Sequence, residues 1–207
     1  MKVKKHPQLN IINALKLPSI RPLETLFVFL FVACFSAYAV PLQETTTPKT
    51  FTDWCLNTTN LSVETKHTVD VLLQVAETQD CQQADKTLST SSVILLYNTQ
   101  LADLKPFSTL THLTYLGLRH NQVTDLQPLS TLTNLTRLDL SNNQVTDLQP
   151  LSTLTNLTVL NLSNNQVTDL KPLSTLTNLT ELNLSNNPTL TDKTCPVKPE
   201  SICSFAP

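Results

Sequence analysis

The 207-residue sequence is poor in glycine, aromatic residues and charge. Gly117 is its one glycine, aromatic residues make up 5% of the chain and charged residues 14%. Phosphate-binding loops and dinucleotide fingerprints need several glycines, because backbone N–H groups must approach a phosphate closely. The composition therefore argues against nucleotide-binding motifs, while a 40% hydrophobic content is sufficient for a folded core.

A basic segment followed by an apolar run opens the chain. The apolar run Leu26–Phe35 is too short to span a bilayer. Ala37–Ala39, with the sequence Ala-Tyr-Ala, offers the small residues of a signal-peptidase site. We predict a signal peptide at residues 1–39, a mature start at Val40 and a linker at residues 40–50. A short membrane anchor and a lipoprotein acylated at Cys34 are the alternatives. The basic residues before the run are Lys2, Lys4, Lys5, Lys16 and Arg21.

Removal of this leader would make the chain more acidic. The predicted mature chain has 9 basic and 15 acidic residues, a net charge near −6. Nucleic acids are bound by basic surfaces because their backbone is densely negative. We therefore expect no nucleic-acid partner, and no transmembrane span in the mature chain.

Four cysteines remain in the predicted mature chain. An even number in an oxidising compartment predicts disulfides. The cysteines lie in two distant groups, which favours Cys55–Cys81 and Cys195–Cys203 among the three possible pairings. A zinc site is the alternative, but the spacing is not Cys-x-x-Cys and no histidine lies near the second pair. We expect neither a metal nor a cofactor.

A 22-residue period dominates the second half of the sequence. Residues 132–153, LTNLTRLDLSNNQVTDLQPLST, are followed by LTNLTVLNLSNNQVTDLKPLST at residues 154–175, and the two copies differ at only three positions. The same frame extends over residues 88–190, which gives about five repeats. Its apolar positions in the first copy are Leu132, Leu135, Leu138, Leu140, Val145, Leu148 and Leu151.

The repeat LxxLxLxxNxL, with its continuation NxVTDLxPLSxL, resembles the leucine-rich repeats of bacterial internalins and related secreted proteins. The resemblance covers about half of the chain. It implies an α/β fold, a right-handed solenoid with a parallel β-sheet on its concave side and 3₁₀ turns on its convex side. The sequence contains neither an LPxTG motif nor an immunoglobulin-like module after the repeats. Host-cell invasion is therefore not carried over.

The residues give this geometry a physical reason. In Arg137–Ser141 the leucines alternate with polar residues, which predicts a strand that buries Leu138 and Leu140. Just beyond it, the side-chain amide of Asn143 can both donate to and accept from backbone groups of neighbouring coils. Asp147 is placed to cap the convex turn; one aspartate per coil supplies too few oxygens for calcium. The predicted asparagine ladder comprises Asn121, Asn143, Asn165 and Asn187.

An open stack of repeats needs caps at both ends. Residues 51–87 predict a small helical N-terminal cap, with one helix starting after Ser62 and another after Asp80. Residues 191–207 predict an irregular C-terminal cap held by the second disulfide.

The outward strand positions are the candidate binding surface. Aromatic residues beside arginines are favoured at protein interfaces. Gly117, Ser141 and Ser163 are also expected to be exposed there, and the alternative for Val93 and Leu95 is burial beneath the N-terminal cap. The candidate binding residues are Tyr97, Tyr115, Arg119, His120, Arg137, Asp139, Val159 and Glu181.

The sequence offers no catalytic constellation. No motif ties a serine or cysteine to His67, His112 or His120, and repeated coils provide no evident deep cleft for paired carboxylates. We therefore expect no enzyme. The prediction is a secreted or periplasmic module that binds a protein, or less readily a glycan. The alternative is a structural or lipid-anchored envelope protein without a specific ligand.

Overall fold

The computed structural model describes residues 47–205. The predicted signal peptide, the Cys34 alternative and the first part of the predicted linker lie outside these residues. The helices are α1 (Phe51–Leu56), α2 (Val63–Val75) and α3 (Cys81–Thr90). The strands are β1 (Val93–Leu95), β2 (Tyr115–Gly117), β3 (Arg137–Asp139), β4 (Val159–Asn161), β5 (Glu181–Asn183) and β6 (Cys203–Ser204).

Side-chain caps set the starts of all three helices. The Ser62 hydroxyl accepts from the Thr65 N–H at 3.2 Å, and the Asp80 carboxylate accepts from the Gln83 N–H at 2.8 Å. Each bond satisfies an N–H that has no partner within its helix. The starts of α2 and α3 agree with the sequence. Helix α1 was not predicted: Thr50 caps it and exchanges hydrogen bonds with Asp53 in a capping box.

The three helices pack on one another and on the first coil. Phe51 of α1 is fully buried, and its N–H donates to the Asp85 carboxylate of α3 at 2.8 Å. The Cys55–Cys81 disulfide joins the same two helices, with an S–S distance of 1.92 Å. Buried side chains of the cap and of the repeats belong to a single apolar cluster. The cap therefore closes the first coil of the stack.

The six strands form one parallel sheet in the order β1-β2-β3-β4-β5-β6. Neighbouring strands from β1 to β5 pair residues 22 apart, for example Arg137 with Val159. We number the coils 1 to 5 by the leucine at which each starts. Coils 1 to 5 start at Leu88, Leu110, Leu132, Leu154 and Leu176. The seven apolar frame positions of coil 3 are each at most 1% exposed, and this burial makes the stack a continuous leucine core.

A buried asparagine joins each coil from the second onward to the coil before it. The Asn143 side-chain NH₂ donates to the carbonyl oxygens of Leu118 and Leu140, both at 2.9 Å, and its Oδ1 accepts from the Val123 N–H at 3.0 Å. Asn165 and Asn187 repeat these contacts one and two coils later. These bonds satisfy backbone groups that the strand ladder leaves without partners.

Short 3₁₀ turns form the opposite side of each coil. The Asp147 carboxylate accepts from the N–H of Gln149, the first residue of the turn, at 2.8 Å. Pro150 follows at the second position, where its missing N–H is not needed. The turns are Lys105–Thr109, Gln127–Thr131, Gln149–Thr153 and Lys171–Thr175.

The C-terminal segment adds a sixth strand to the sheet. Leu182 and Asn183 of β5 pair with Cys203 and Ser204 of β6, and Cys203 is bonded to Cys195. The expectation of a wholly irregular segment is wrong, because these two residues complete the hydrogen bonds of the last repeat strand. The sheet edge at coil 5 is thereby covered.

Candidate functional site

The outward side chains of the sheet form three columns, which we call the concave face. Each column takes one residue per coil at the 22-residue period. The first column is Val93, Tyr115, Arg137, Val159 and Glu181. The second column is Leu95, Gly117, Asp139, Asn161 and Asn183. The third column is Tyr97, Arg119, Ser141, Ser163 and Ser185. The chemistry changes along the columns, from apolar in coil 1 to polar in coil 5.

Coil 1 presents an exposed apolar patch, which consists of Val93, Leu95 and Tyr97. Their exposed fractions are 48%, 46% and 44%. The alternative that Val93 and Leu95 are buried beneath the N-terminal cap is therefore wrong. In the part of the chain that the structure describes, the other large exposed apolar side chains are Leu56 and Val63, both outside the repeats.

Gly117 provides the space into which the apolar patch extends. A Cβ atom at this position would lie 2.8 Å from Cε1 of Tyr97 and 2.9 Å from Cδ2 of Leu95. The φ angle of Gly117 is not positive, so the backbone does not require glycine. Gly117 is buried, not exposed as expected, because the two side chains from coil 1 lie across it. Sequence reasoning missed this role, although a glycine inside a strand often marks a close approach.

The Tyr97 hydroxyl is influenced by Tyr115 of the next coil. Side-chain hydrogen bonding with Tyr115 is the main cause that raises the pKa of Tyr97 to about 12. Partial burial and the negative charge of Asp139 raise the pKa further, and Arg119 opposes them. Side chains of coils 2 and 3 thus contribute to the environment of the Tyr97 hydroxyl.

Two arginines flank Tyr97 and Tyr115. The Arg137 guanidinium lies over the Tyr115 ring, 5.9 Å from its centroid, within cation–π range. Arg119, in the third column, is exposed. Among residues 47–205 neither arginine forms an ion pair. Both positive charges are therefore available to a partner.

Asp139 and Asn161 are engaged by the residues that follow them. Asp139 Oδ1 accepts from the Ser141 N–H at 3.0 Å and from the Ser141 hydroxyl at 2.7 Å. Asn161 Oδ1 does the same with Ser163, at 3.1 and 2.9 Å. Ser141 and Ser163 are only 2% and 8% exposed. The expectation that these serines are exposed is wrong, because their hydroxyls turn back toward the sheet.

A shallow hollow of about 190 Å³ lies on the concave face between Tyr115 of coil 2 and Glu181 of coil 5. Its walls include Arg137, Asp139, Val159 and Glu181. A larger hollow of about 450 Å³ lies at the C-terminal end, where Leu184, Leu190 and Phe205 contribute to its lining. The larger hollow contains none of the predicted binding residues.

The predicted histidine of the site, His120, adjoins Arg119 and is exposed. Its φ of 56° lies in the left-handed region. Asn142, Asn164 and Asn186 have the same conformation one, two and three coils later. Asparagine tolerates this conformation better than most residues, so coil 2 departs from the repeat at a position next to the arginine.

The structure thus brings Tyr97, Tyr115, Arg119 and Arg137 together and places Val159 and Glu181 farther along the same face. Within residues 47–205, no three His, Cys, Asp or Glu side chains lie close enough to share a metal ion. Over the same range, no helix combines the length and the apolar character that a membrane span requires.

Comparison with known proteins agrees with this geometry. The family described as leucine-rich repeats (2 copies) matches residues 111–153, 133–175 and 155–194. No curated protein sequence matches the chain.

Three similar solved structures come from Listeria monocytogenes. Internalin C2 is 37% identical, with a TM-score of 0.54 over 60% of this chain and 54% of that one. Internalin F is 30% identical, with a TM-score of 0.60 over 68% of this chain and 42% of that one. The functional domain of InlJ, which includes a cysteine ladder, is 26% identical, with a TM-score of 0.51 over 71% of this chain and 36% of that one.

The chain spans between a third and about half of the length of these three structures. Its repeat period, parallel sheet and 3₁₀ turns are those that the family resemblance implied. The chain thus contains leucine-rich repeats and is similar to the internalins.

Proposed function

We propose that this chain is an exported protein-binding module and that the first three coils of its concave face contact the partner. The observation that carries the proposal is the exposure of Val93, Leu95 and Tyr97 beside Tyr115 and two unpaired arginines. Exposed apolar groups rimmed by charge mark interaction surfaces. Tyrosine and arginine are also among the residues that contribute most to protein interfaces.

The shape of this face favours a protein over a small molecule. Pockets for small ligands usually enclose about 300 to 1,000 Å³. The hollow on the concave face is smaller, about 190 Å³, and shallow. A broad sheet with projecting side chains suits a partner that covers many residues at once.

Export is supported by the cysteines. Cys55–Cys81 and Cys195–Cys203 are disulfide-bonded, and such bonds persist in oxidising compartments. Mass spectrometry of the mature N-terminus tests the form of export. An unmodified Val40 is the expected result, and an acylated Cys34 would instead support a lipid-anchored envelope protein.

Site-specific photo-crosslinking tests the binding face. A photoreactive phenylalanine is placed at Tyr97 and, in a control protein, at Gln149 on the convex side. We expect a partner protein to crosslink to position 97 and not to position 149. Mass spectrometry of peptides from the crosslinked protein then identifies the partner.

The identified partner then allows a quantitative test. The combined variant Tyr97→Ala, Tyr115→Ala and Arg119→Ala should weaken its binding roughly a hundredfold, because interface tyrosines and arginines each contribute about 1–2 kcal/mol or more. The matched convex variant Gln127→Ala, Gln149→Ala and Lys171→Ala should bind as the wild type does. Undiminished binding by the concave variant would overturn the proposal.

A further inference from the structure

Resting on the proposed function, we propose that the partner presents an extended segment in which an apolar side chain, a carboxylate and a basic side chain follow one another from β1 to β5. The concave face offers complementary groups for these three side chains in that order.

The partner's apolar side chain would contact coil 1. Leu95 and Tyr97 lie across Gly117, which leaves a flat apolar surface that reaches coil 2. Val93 extends this surface along the first column. Within residues 93–97 the three outward residues are uncharged, so this end favours an apolar group over a charged one.

The carboxylate is assigned to the two arginines of coils 2 and 3. Oδ1 of Asp139 accepts hydrogen bonds from Ser141, and the carboxylate forms no ion pair with either arginine. Arg137 is positioned over the Tyr115 ring, which limits the orientations of its guanidinium. Guanidinium groups bind carboxylates through paired hydrogen bonds, and an interface that excludes water strengthens them.

The basic side chain is assigned to the hollow between Arg137 and Glu181. Tyr115 and Arg137 line the hollow on the side of coils 2 and 3. Val159 lines its middle, and Asp139 and Glu181 contribute two carboxylates, so the basic side chain is assigned to the side at Glu181. Its volume of about 190 Å³ accommodates about one side chain. Glu181 lies two strands beyond Arg137, roughly 10 Å at a strand spacing of about 4.8 Å. A carboxylate of the partner near Glu181 would be repelled, whereas one near Arg137 would be attracted, and this difference favours the proposed order of charges.

The length of the face suits an extended segment. Four strand spacings separate the first column at Val93 from the same column at Glu181, which is roughly 19 Å. An extended chain rises about 3.3 Å per residue. A segment of about six residues therefore covers the whole distance with its side chains alternately directed to the sheet.

Selection from a display library of random peptides about ten residues long tests the proposal without knowledge of the partner. The full chain, disulfide-bonded, is the target. We expect enriched peptides to contain an aspartate or glutamate two positions from a large apolar residue, with lysine or arginine two positions beyond the acid, so that all three side chains face the sheet. The charge-reversed variant Arg119→Glu with Arg137→Glu should weaken these peptides at least tenfold and enrich basic residues at the acidic position.

The matched control is Lys66→Glu with Lys171→Glu, which makes the same charge change on exposed residues outside the concave face. These substitutions should leave peptide affinity within about twofold of wild type. Three outcomes overturn the inference: enrichment of peptides without an acidic residue, equal binding by the arginine variant, or no enrichment at all. The proposed function survives these outcomes if crosslinks from position 97 persist, because concave-face binding could then use other partner chemistry.

Discussion

Coil 2 differs from coils 3 and 4 on the outside far more than on the inside. In coils 2, 3 and 4 the asparagine Oδ1 accepts a backbone N–H of the preceding coil, from Leu101, Val123 and Val145, at 2.9 to 3.0 Å. On the concave face, by contrast, the first column changes from Tyr115 to Arg137 and then to Val159. The positions that stabilise the fold are therefore different from the positions that are available for recognition, within the same repeat.

The largest expected effect is a loss of stability on removal of a ladder asparagine, and its size should differ between Asn121 and Asn143. Asn121 accepts from the N–H groups of both Thr99 and Leu101, at 3.1 and 3.0 Å, whereas Asn143 accepts from that of Val123 alone. Each unpaired buried N–H costs about 1–3 kcal/mol. We expect Asn121→Ala to lower the free energy of unfolding by about 4 kcal/mol and Asn143→Ala by about 3 kcal/mol, as measured by urea denaturation.

Asn134 is the control for this comparison. It lies in the same repeat as Asn143, but it is exposed and donates a single hydrogen bond to the Thr111 carbonyl at 2.8 Å. Asn134→Ala should cost about 1 kcal/mol or less, because water can replace the lost bond. Equal costs for Asn134→Ala and Asn143→Ala would contradict a ladder based on burial.

The next effect concerns the apolar patch, where substitution of Gly117 should change the pKa of Tyr97. Gly117→Ala places a Cβ within 2.9 Å of Leu95 and Tyr97, so both side chains must move. Because displacement removes the contact with Tyr115, the pKa of Tyr97 should fall from about 12 toward its ordinary value of about 10. Phenolate absorbance measured against pH follows this change, and Tyr97→Phe assigns the signal. An unchanged titration in Gly117→Ala would show that glycine is not needed for the contact between Tyr97 and Tyr115.

Alkaline pH should destabilise the protein in part through ionisation of Tyr97. The folded-state pKa of Tyr97 is about 12, above the unfolded value of about 10. The folded state therefore holds this proton more tightly. The resulting stability is fully present below pH 10 and is lost as pH rises toward 12. We expect the urea midpoint to fall between about pH 10 and 11.5, and to fall less in Tyr97→Phe. The same slope in both proteins would exclude Tyr97 as the cause.

The smallest effect on stability comes from making the coils more alike. Arg137→Val, Asp139→Asn and Gln149→Lys together convert residues 132–153 into a copy of residues 154–175. The leucine core and the ladder are untouched, so the free energy of unfolding should change by less than about 1 kcal/mol. Binding of peptides selected on the wild type should nevertheless fall at least tenfold, because Arg137 is lost. A large loss of stability would mean that fold and recognition share positions after all.

Much of the fold follows from the sequence because the 22-residue period determines which residues pair between neighbouring strands. A shift of 22 residues predicts that Leu138 is buried above Leu160 and that Arg137 pairs with Val159, and both are found. Ser62 and Asp80 likewise indicate where helices start, since a cap is a local feature. Strand β6 lies outside the repeat frame, and the sequence gives no sign of it.

The site was less predictable than the fold because its details depend on contacts between coils. Gly117 looks exposed from its place in the strand, and only the orientation of Tyr97 and Leu95 one coil earlier buries it. The hydroxyls of Ser141 and Ser163 turn back to their own strands, which alternation alone does not reveal. The sequence did place the aromatic and arginine residues on one face, since their columns follow from the period.

The pairing of β6 with β5 has a consequence for the length of the molecule. Because β6 hydrogen-bonds to the last repeat strand much as another repeat strand would, an additional copy of residues 154–175 can be inserted before β5 while both caps keep their contacts. The binding groups of β1 to β3 lie at the other end and would not move relative to the N-terminal cap. Duplication of a repeat can thus lengthen the solenoid while the proposed binding groups of β1 to β3 stay unchanged.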